Sequence, residues 1–309
     1  MKTMLSKKSL NYLSQHWSLY LLLVLPMAFF VVFRYMPMTN ILVAFKNYNL
    51  TRTVWEMDWA ANNGFAHFIN AFNTIQFRWA LRNTLMLNLL DLVIGFPAPI
   101  ILALILNELR FSLFKKVTQT IAYMPHFLSW IIVSGLAVNL LAPTSGLLNI
   151  FLQRMGFNTI PFLNDSVHWV GTYVVLGIWK SVGWNTIIYL AAITAVNPEL
   201  YESAEMDGAG RLRKMWHVTL PGIRHVVVLL LILSLGNILG SEFDRPFSMM
   251  NTLVRDVSTT ISIFVYQHGI LGLRFSLSAA VGLFQSFIGM IFLLTANVLA
   301  KKLGERGLF

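Results

Sequence analysis

Cysteine is absent from the 309 residues, which excludes disulfides, thiolate metal sites and a cysteine nucleophile while leaving the compartment open. Charge is scarce as well: Asp, Glu, Lys and Arg together make up 12%, about half the share of roughly 25% usual in soluble domains. Catalytic signatures are also missing. There is no Gly-x-x-x-x-Gly-Lys-Ser/Thr phosphate loop, so this chain is not expected to hydrolyse ATP. Neither a Gly-x-Ser-x-Gly elbow nor a His-Glu-x-x-His pair occurs. A membrane hydrolase with two intramembrane carboxylates would need a mate for Asp91, and the spans offer no obvious one. His126, beside Pro125, has no second His or carboxylate at ligand spacing. No catalytic residue and no metal site is therefore assigned.

What the chain has in quantity is apolar residues, at 56%. They recur in stretches near 17–38, 80–106, 117–141, 168–195, 223–241 and 277–300, each close to the roughly 20 residues a helix needs to cross a bilayer. The first stretch follows Lys2, Lys7 and Lys8, but no small-x-small cleavage site follows it, so it reads as a retained helix and not as a removed signal. Arg34, Asp91 and Lys180 interrupt the stretches, and Pro26, Pro97, Pro99 and Pro125 lie within them. Membrane helices tolerate such prolines when neighbours satisfy the freed carbonyls. The expected fold is an all-α membrane protein of six transmembrane helices. Its parts are a tail, first helix and external loop (1–79), a core (80–300) with a polar loop at 196–222, and a C-terminal tail (301–309).

Lysine and arginine set the expected orientation. With the N-terminus inside, the inner segments hold thirteen of them, including Lys115, Arg213 and Lys302, and the longer outer loops hold seven, among them Arg245, Arg255 and Arg274. This bias favours both termini in the cytoplasm and turns the 196–222 block toward it. The net charge of +10 then needs no nucleic-acid partner.

The 196–222 block is the most informative segment. Asn197-Pro198 is a helix-start signal, with Glu199, Glu202 and Glu205 in the first turns where carboxylates suit the helix N-terminus. Gly208 and Gly210 should break this helix, and a second one from about Arg211 to Val218 should present Leu212, Met215 and Trp216 before Pro221. Two short helices joined by a glycine bend make a protrusion able to lie in a partner's groove. The bland alternative is an amphipathic segment resting on lipid headgroups.

The order Glu202-Ser203-Ala204, Asp207-Gly208-Ala209, Leu220-Pro221 resembles the EAA loop of bacterial ABC-importer permeases. Ser203 stands where that family usually has Ala, and Trp216 where Phe is frequent. Tyr123-Met-Pro125-His126-Phe-Leu-Ser-Trp130, Trp179-Lys180-x-x-Gly183-Trp184-Asn185 and Phe275-Ser-x-Ser-Ala-Ala-x-Gly282-Leu-Phe are similar to the polysaccharide and oligosaccharide branch related to maltose-type importers. The resemblance covers most of the chain from about residue 80. It implies a type I ABC-importer permease in the bacterial cell membrane, translocating an oligosaccharide. Its implied partners are a second permease subunit, forming a heterodimer, two cytoplasmic ATPase subunits and an extracytoplasmic solute-binding protein. ATP and magnesium would be used by the ATPase, with no cofactor on this chain. Glu202, Ser203, Ala204, Asp207, Gly208, Ala209, Leu220 and Pro221 would form the ATPase-docking element.

For the cargo path, Tyr173, Gly177, Lys180 and Trp184 fall at spacings of 4, 3 and 4 on one helix face. An ionisable residue at mid-membrane marks a functional site by default, and aromatic faces beside a donor suit a sugar ring. Tyr173, Lys180, Trp184 and Asn185 are the substrate-path candidates, against the alternative that Lys180 pairs with a carboxylate such as Asp91. Gly236-x-x-x-Gly240 and the Ser278, Gly282, Ser286 series read as close helix packing, with Asn237, Ser241 and Gln285 near those faces. The 40–79 loop, rich in Trp and Phe, reads as interfacial packing. Two other classes compete with the permease reading. A self-contained secondary transporter usually shows internal repeats, and none is convincing here; a membrane scaffold or sensor would use the polar block without moving solute.

Overall fold

In the computed structural model of the protein, the residues described are 15–240, 242–302, 304 and 307–308; Lys2, Lys7, Lys8, Ser241 and Arg306 lie outside them. The described residues are helical apart from connecting loops and one isolated Lys46–Trp59 bridge. Four helices are long and apolar enough to cross a membrane: Trp17–Phe45, Ile75–Asn107, Ser166–Thr194 and Phe275–Lys302. Two bent pairs complete the set, Ser112–Phe127 with Trp130–Leu141 and Arg211–Gly222 with Arg224–Gly236. These are the six expected spans, with two differences in shape.

The third span is not straight. It turns by 103° at its break, where Pro125 sits in a tight 3-10 turn, Met124–Phe127, and Leu128 becomes extended. Proline removes a donor and clashes with the preceding turn, so the helix restarts at Trp130, capped by the Ser129 hydroxyl, which accepts from the Ile132 amide. The second span absorbs its prolines differently. A π-turn at Asp91–Gly95 precedes Pro97, closed by the Phe96 amide donating to the Asp91 carbonyl at 2.8 Å. Such insertions relieve the clash without ending the helix.

The second difference concerns 242–274, expected as an outside loop. It folds back onto the bundle, and Arg245, Pro246, Met249, Val254 and Phe264 are buried. Short irregular helices leave backbone groups that need partners, and long-range side chains supply them. Asn83 donates to the carbonyls of Asp256 and Thr259, Thr84 accepts from the Ile261 amide, and the Trp169 indole donates to the Met249 carbonyl.

Three apolar clusters fix the spans to one another. One joins Phe77, Leu239, Phe264 and Val281; another Leu87, Trp169, Val174 and Val254; the third Ile100, Ala103, Tyr189 and Ile223. Glycine permits the closest approaches. A Cβ on Gly183 would overlap the Ala122 backbone, and one on Gly289 the Gly236 carbonyl. The small-residue reading thus holds where Gly236 meets the sixth span, but Gly282 has nothing near its missing Cβ, so that part of the series borders open space instead of a packed helix.

The outer surface is apolar, as lipid contact requires. Trp17–Phe30 contains no buried residue. After it, the chain forms a small clasp. Lys46 is buried, with its ammonium donating to the Val54 and Trp55 carbonyls and lying 5.2 Å from the Trp59 ring centroid. Ser276, at the start of the sixth span, donates to the Lys46 carbonyl and accepts from the Tyr48 amide.

Candidate functional site

The polar block forms the two-helix protrusion its sequence encodes. Asn197 caps Pro198–Met206 by accepting from the Glu199 amide. Gly208 takes a φ of +70°, a left-handed conformation that suits glycine, and Gly210 precedes the next helix. That helix runs Arg211–Gly222, past the expected end, through a π-turn at Met215–Thr219. Two bonds close the helices on each other. Lys214 pairs with Glu205 at 2.5 Å, and the Tyr201 hydroxyl donates to Thr219 at 3.0 Å. Lys214, by its hydrogen bond and then by its charge, holds the Glu205 carboxyl below the usual carboxylate range. Met206, Leu212 and Trp216 are left exposed, Met206 at 90%; Leu212 and Trp216 were legible from the sequence and Met206 was not. Glu202 and Gly208 are exposed, Ser203 likewise, while Ala204, Ala209 and Leu220 are half-buried and Asp207 and Pro221 are exposed.

Deeper in the bundle, four charged side chains gather from separate elements. Arg245 bonds Asp91 through two nitrogens, at 2.7 and 3.3 Å, and donates to the Tyr173 carbonyl at 2.6 Å. Its guanidinium lies 3.6 Å from the Tyr173 ring centroid, a cation–π arrangement. A Cβ on Gly177 would overlap that guanidinium, so this glycine leaves room for the ion pair. Trp130, first residue after the break in the third span, donates its indole N–H to Glu242, and its ring lies 5.2 Å from Lys180 and 5.3 Å from Arg245. Asp91 therefore pairs with Arg245 and not with Lys180. Lys180 instead donates to the His126 carbonyl at 3.1 Å, an acceptor at the helix break.

A cavity of about 530 Å³ opens beside this cluster, bordered by Asn88, Asp91, Asn185, Asn237, Glu242 and Arg245. Its size falls within the ~300–1,000 Å³ usual for small-molecule sites. A second hollow of about 850 Å³, sharing Asn237 and Gly240 with the first, runs along Tyr266, Gly282, Gln285 and Ser286. Of the four path candidates, Tyr173 and Asn185 border the first cavity. Lys180 and Trp184 lie on the side facing the helix break, where Trp184 stacks on His126 at 4.5 Å and 2°. Arg245, Glu242 and Trp130 escaped the sequence reading. The one available signal was Asp91, a carboxylate in an apolar span and so in need of a cation.

Four membrane-length helices with two bent pairs that make up to six spans, a cavity bordered by charged and amide side chains, and a braced polar protrusion fit a membrane transport subunit. The family described as binding-protein-dependent transport system inner membrane component matches residues 95–305. The polygalacturonan/rhamnogalacturonan transport system permease protein YteP of Bacillus subtilis (strain 168) is 45% identical over 98% of this chain and 94% of its own length. Protein LplB of the same strain is 43% identical over 94% of this chain and 91% of its own. A subunit in the crystal structure of a bacterial alginate ABC transporter, in complex with an alginate pentasaccharide-bound periplasmic protein, superposes with a TM-score of 0.87. It is 35% identical and covers 96% of this chain and 99% of that one. The chain belongs to the binding-protein-dependent transport system inner membrane component family: it is an ABC-importer permease subunit with the type I fold, a multi-pass membrane protein and not itself an enzyme.

Proposed function

We propose that this permease carries an oligosaccharide across the bacterial cell membrane with both termini in the cytoplasm, its 198–222 protrusion taking the ATPase. The observation that carries the docking role is the protrusion itself: two short helices braced by Glu205–Lys214 and Tyr201–Thr219, with Met206, Leu212 and Trp216 uncovered. Exposed apolar side chains on a rigid polar mount fit a partner groove. The excess of Lys and Arg on the same side supports a cytoplasmic location.

The working assembly is a heterodimer of this chain with a second permease, two ATPase subunits that bind ATP and magnesium, and an extracytoplasmic solute-binding protein. ATP-driven closure of the ATPases moves the docking helices and shifts the bundle between inward- and outward-open states, and only contacts that differ between those states couple the two events. Tyr173 and Asn185 meet the cargo from the first cavity, and Lys180 and Trp184 meet it beside the helix break. The cargo class follows from the relatives, one named for polygalacturonan and rhamnogalacturonan and one for alginate, an acidic polysaccharide. A uronate-bearing oligosaccharide is the cargo this supports best.

The test is uptake of labelled oligosaccharide into vesicles holding this chain, its co-encoded permease, ATPase and binding protein, each omitted in turn, with ATP on the ATPase side. Uptake that needs every component is expected. Uptake by this chain alone would replace the reading with a secondary transporter.

A further inference from the structure

The four charges of the cluster, of which Arg245 is the buried one, are not matched alike. Asp91 and Arg245 neutralise each other through two bonds, and Glu242 accepts from the Trp130 indole. Lys180 has no carboxylate within 4.0 Å among the described residues. It meets the His126 carbonyl and the face of Trp130. An ammonium has three donors and no acceptor, so one bond to a carbonyl leaves two donors uncommitted. A cation at this depth is costly to keep and is retained chiefly where it serves a ligand or a partner.

Its neighbourhood has a sugar-binding character. Trp184 lies four residues on, about 6 Å along the helix axis, and is 43% exposed. His126 stacks on one face of this indole and Phe127 meets it edge-on at 5.9 Å, which fixes the ring and leaves its other face as the one a ligand would use. A pyranose ring has an apolar face that suits an indole, and a uronate adds a carboxylate at the ring's rim, within reach of a group one helical turn away.

We propose that Lys180 is a specificity-determining residue that selects acidic cargo, pairing with the carboxylate of a uronic-acid unit while Trp184 takes the sugar's apolar face. The inference rests on the oligosaccharide reading above and deepens it. Arg245 does not serve this role, because Asp91 occupies its guanidinium. Of the charged residues on the adjoining cavity, Asp91 and Arg245 neutralise each other and Glu242 is acidic, so Lys180 beside it provides the cluster's one cation not already paired with a carboxylate. One ammonium beside one aromatic wall makes a site that holds a unit briefly and releases it.

The experiment compares two probes in vesicles of the complete transporter: a trigalacturonate and the same trisaccharide with its carboxyl groups reduced to alcohols. Lys180→Gln keeps a donor for the His126 carbonyl and removes the charge; Lys180→Arg keeps both. With wild type, the acidic probe is expected to be taken up at the lower KM. Lys180→Gln is expected to raise the KM for the acidic probe about tenfold or more, the scale of a charge-assisted bond, with a far smaller change for the reduced probe, and Lys180→Arg to restore the preference. Equal losses for both probes would mean that Lys180 only braces the helix break, and an unchanged preference would mean that it never meets the carboxylate; either overturns the inference and leaves the oligosaccharide reading intact. A wild-type complex that moves neither probe overturns both.

Discussion

Two ion pairs of similar length lie in opposite settings. Arg245–Asp91 is 2.7 Å long, with side-chain exposures of 6% and 33%; Lys214–Glu205 is 2.5 Å long, with 16% and 63%. The first is surrounded by Tyr173, Trp130 and the Tyr173 carbonyl, and joins a π-turn in the second span to a segment 154 residues away. The second bridges nine residues within one protrusion. Length alone therefore says little about worth. In the inner pair the Arg245 end is enclosed and depends on its partner, while Asp91 keeps some exposure to the cavity; in the outer pair water substitutes readily, and the bond orients more than it stabilises.

Breaking the buried pair from one side gives the largest expected effect. Arg245→Met leaves Asp91 uncompensated and should lower stability by about 2–3 kcal/mol, below the full cost for a buried charge because Asp91 is one-third exposed, read as a fall in the thermal unfolding midpoint of the purified protein in detergent. Asp91→Leu combined with Arg245→Met should recover most of that loss, since an apolar pair of similar volume is often neutral; a double variant as unstable as the single one would show that the site needs the ions for another reason. Next comes crowding. Gly177→Ala places a methyl against the guanidinium and should cost about 1–3 kcal/mol by the same melting assay.

The exposed pair is best sharpened through function. Gly208→Val forces a branched residue into a φ of +70°, a strain of about 1–2 kcal/mol confined to the bend, and Glu202→Lys reverses a charge on the same protrusion. Both should leave membrane insertion intact and lower uptake per ATP hydrolysed; unchanged coupling in both would remove the docking assignment. The smallest effect belongs to Glu205→Gln, with no resolved change in the melting midpoint. Because Lys214 depresses the Glu205 carboxyl in the folded protein, the brace is fully present above the ordinary carboxylate range and is lost as pH falls through the depressed value. Limited proteolysis of the protrusion should therefore rise at acidic pH in the parent and be flatter with pH in the Glu205→Gln variant.

The same contrast explains what the sequence made legible. Features set by neighbours along the chain could be read. The expected span 168–195 is Ser166–Thr194, and 277–300 is Phe275–Lys302, because an apolar run of bilayer length needs no knowledge of its partners. The Asn197 cap and the Gly208 bend were legible for the same reason. Features set by distant partners were not. Asp91 declared its need for a cation, but the sequence offered Lys180 for it and placed Arg245 in an outer loop; only the folding back of 242–274 brings Arg245 to it. The 103° turn was hidden in a similar way: Pro125 permits a break, while the contacts on either side of it, Gly183 with the Ala122 backbone and Lys180 with the Trp130 ring, join residues far apart in the chain.

The clasp between Lys46 and Ser276 bears on how the chain is made. Its two halves are 230 residues apart, so at roughly 5–20 residues per second the ribosome emits the second about 10–50 s after the first. Until then the Lys46 carbonyl and the Tyr48 amide lack their final partner, and the loop that follows the first helix lacks its clasp. The sixth span thus fastens the loop that follows the first, and a chain that stops short of residue 276 leaves that loop without its clasp.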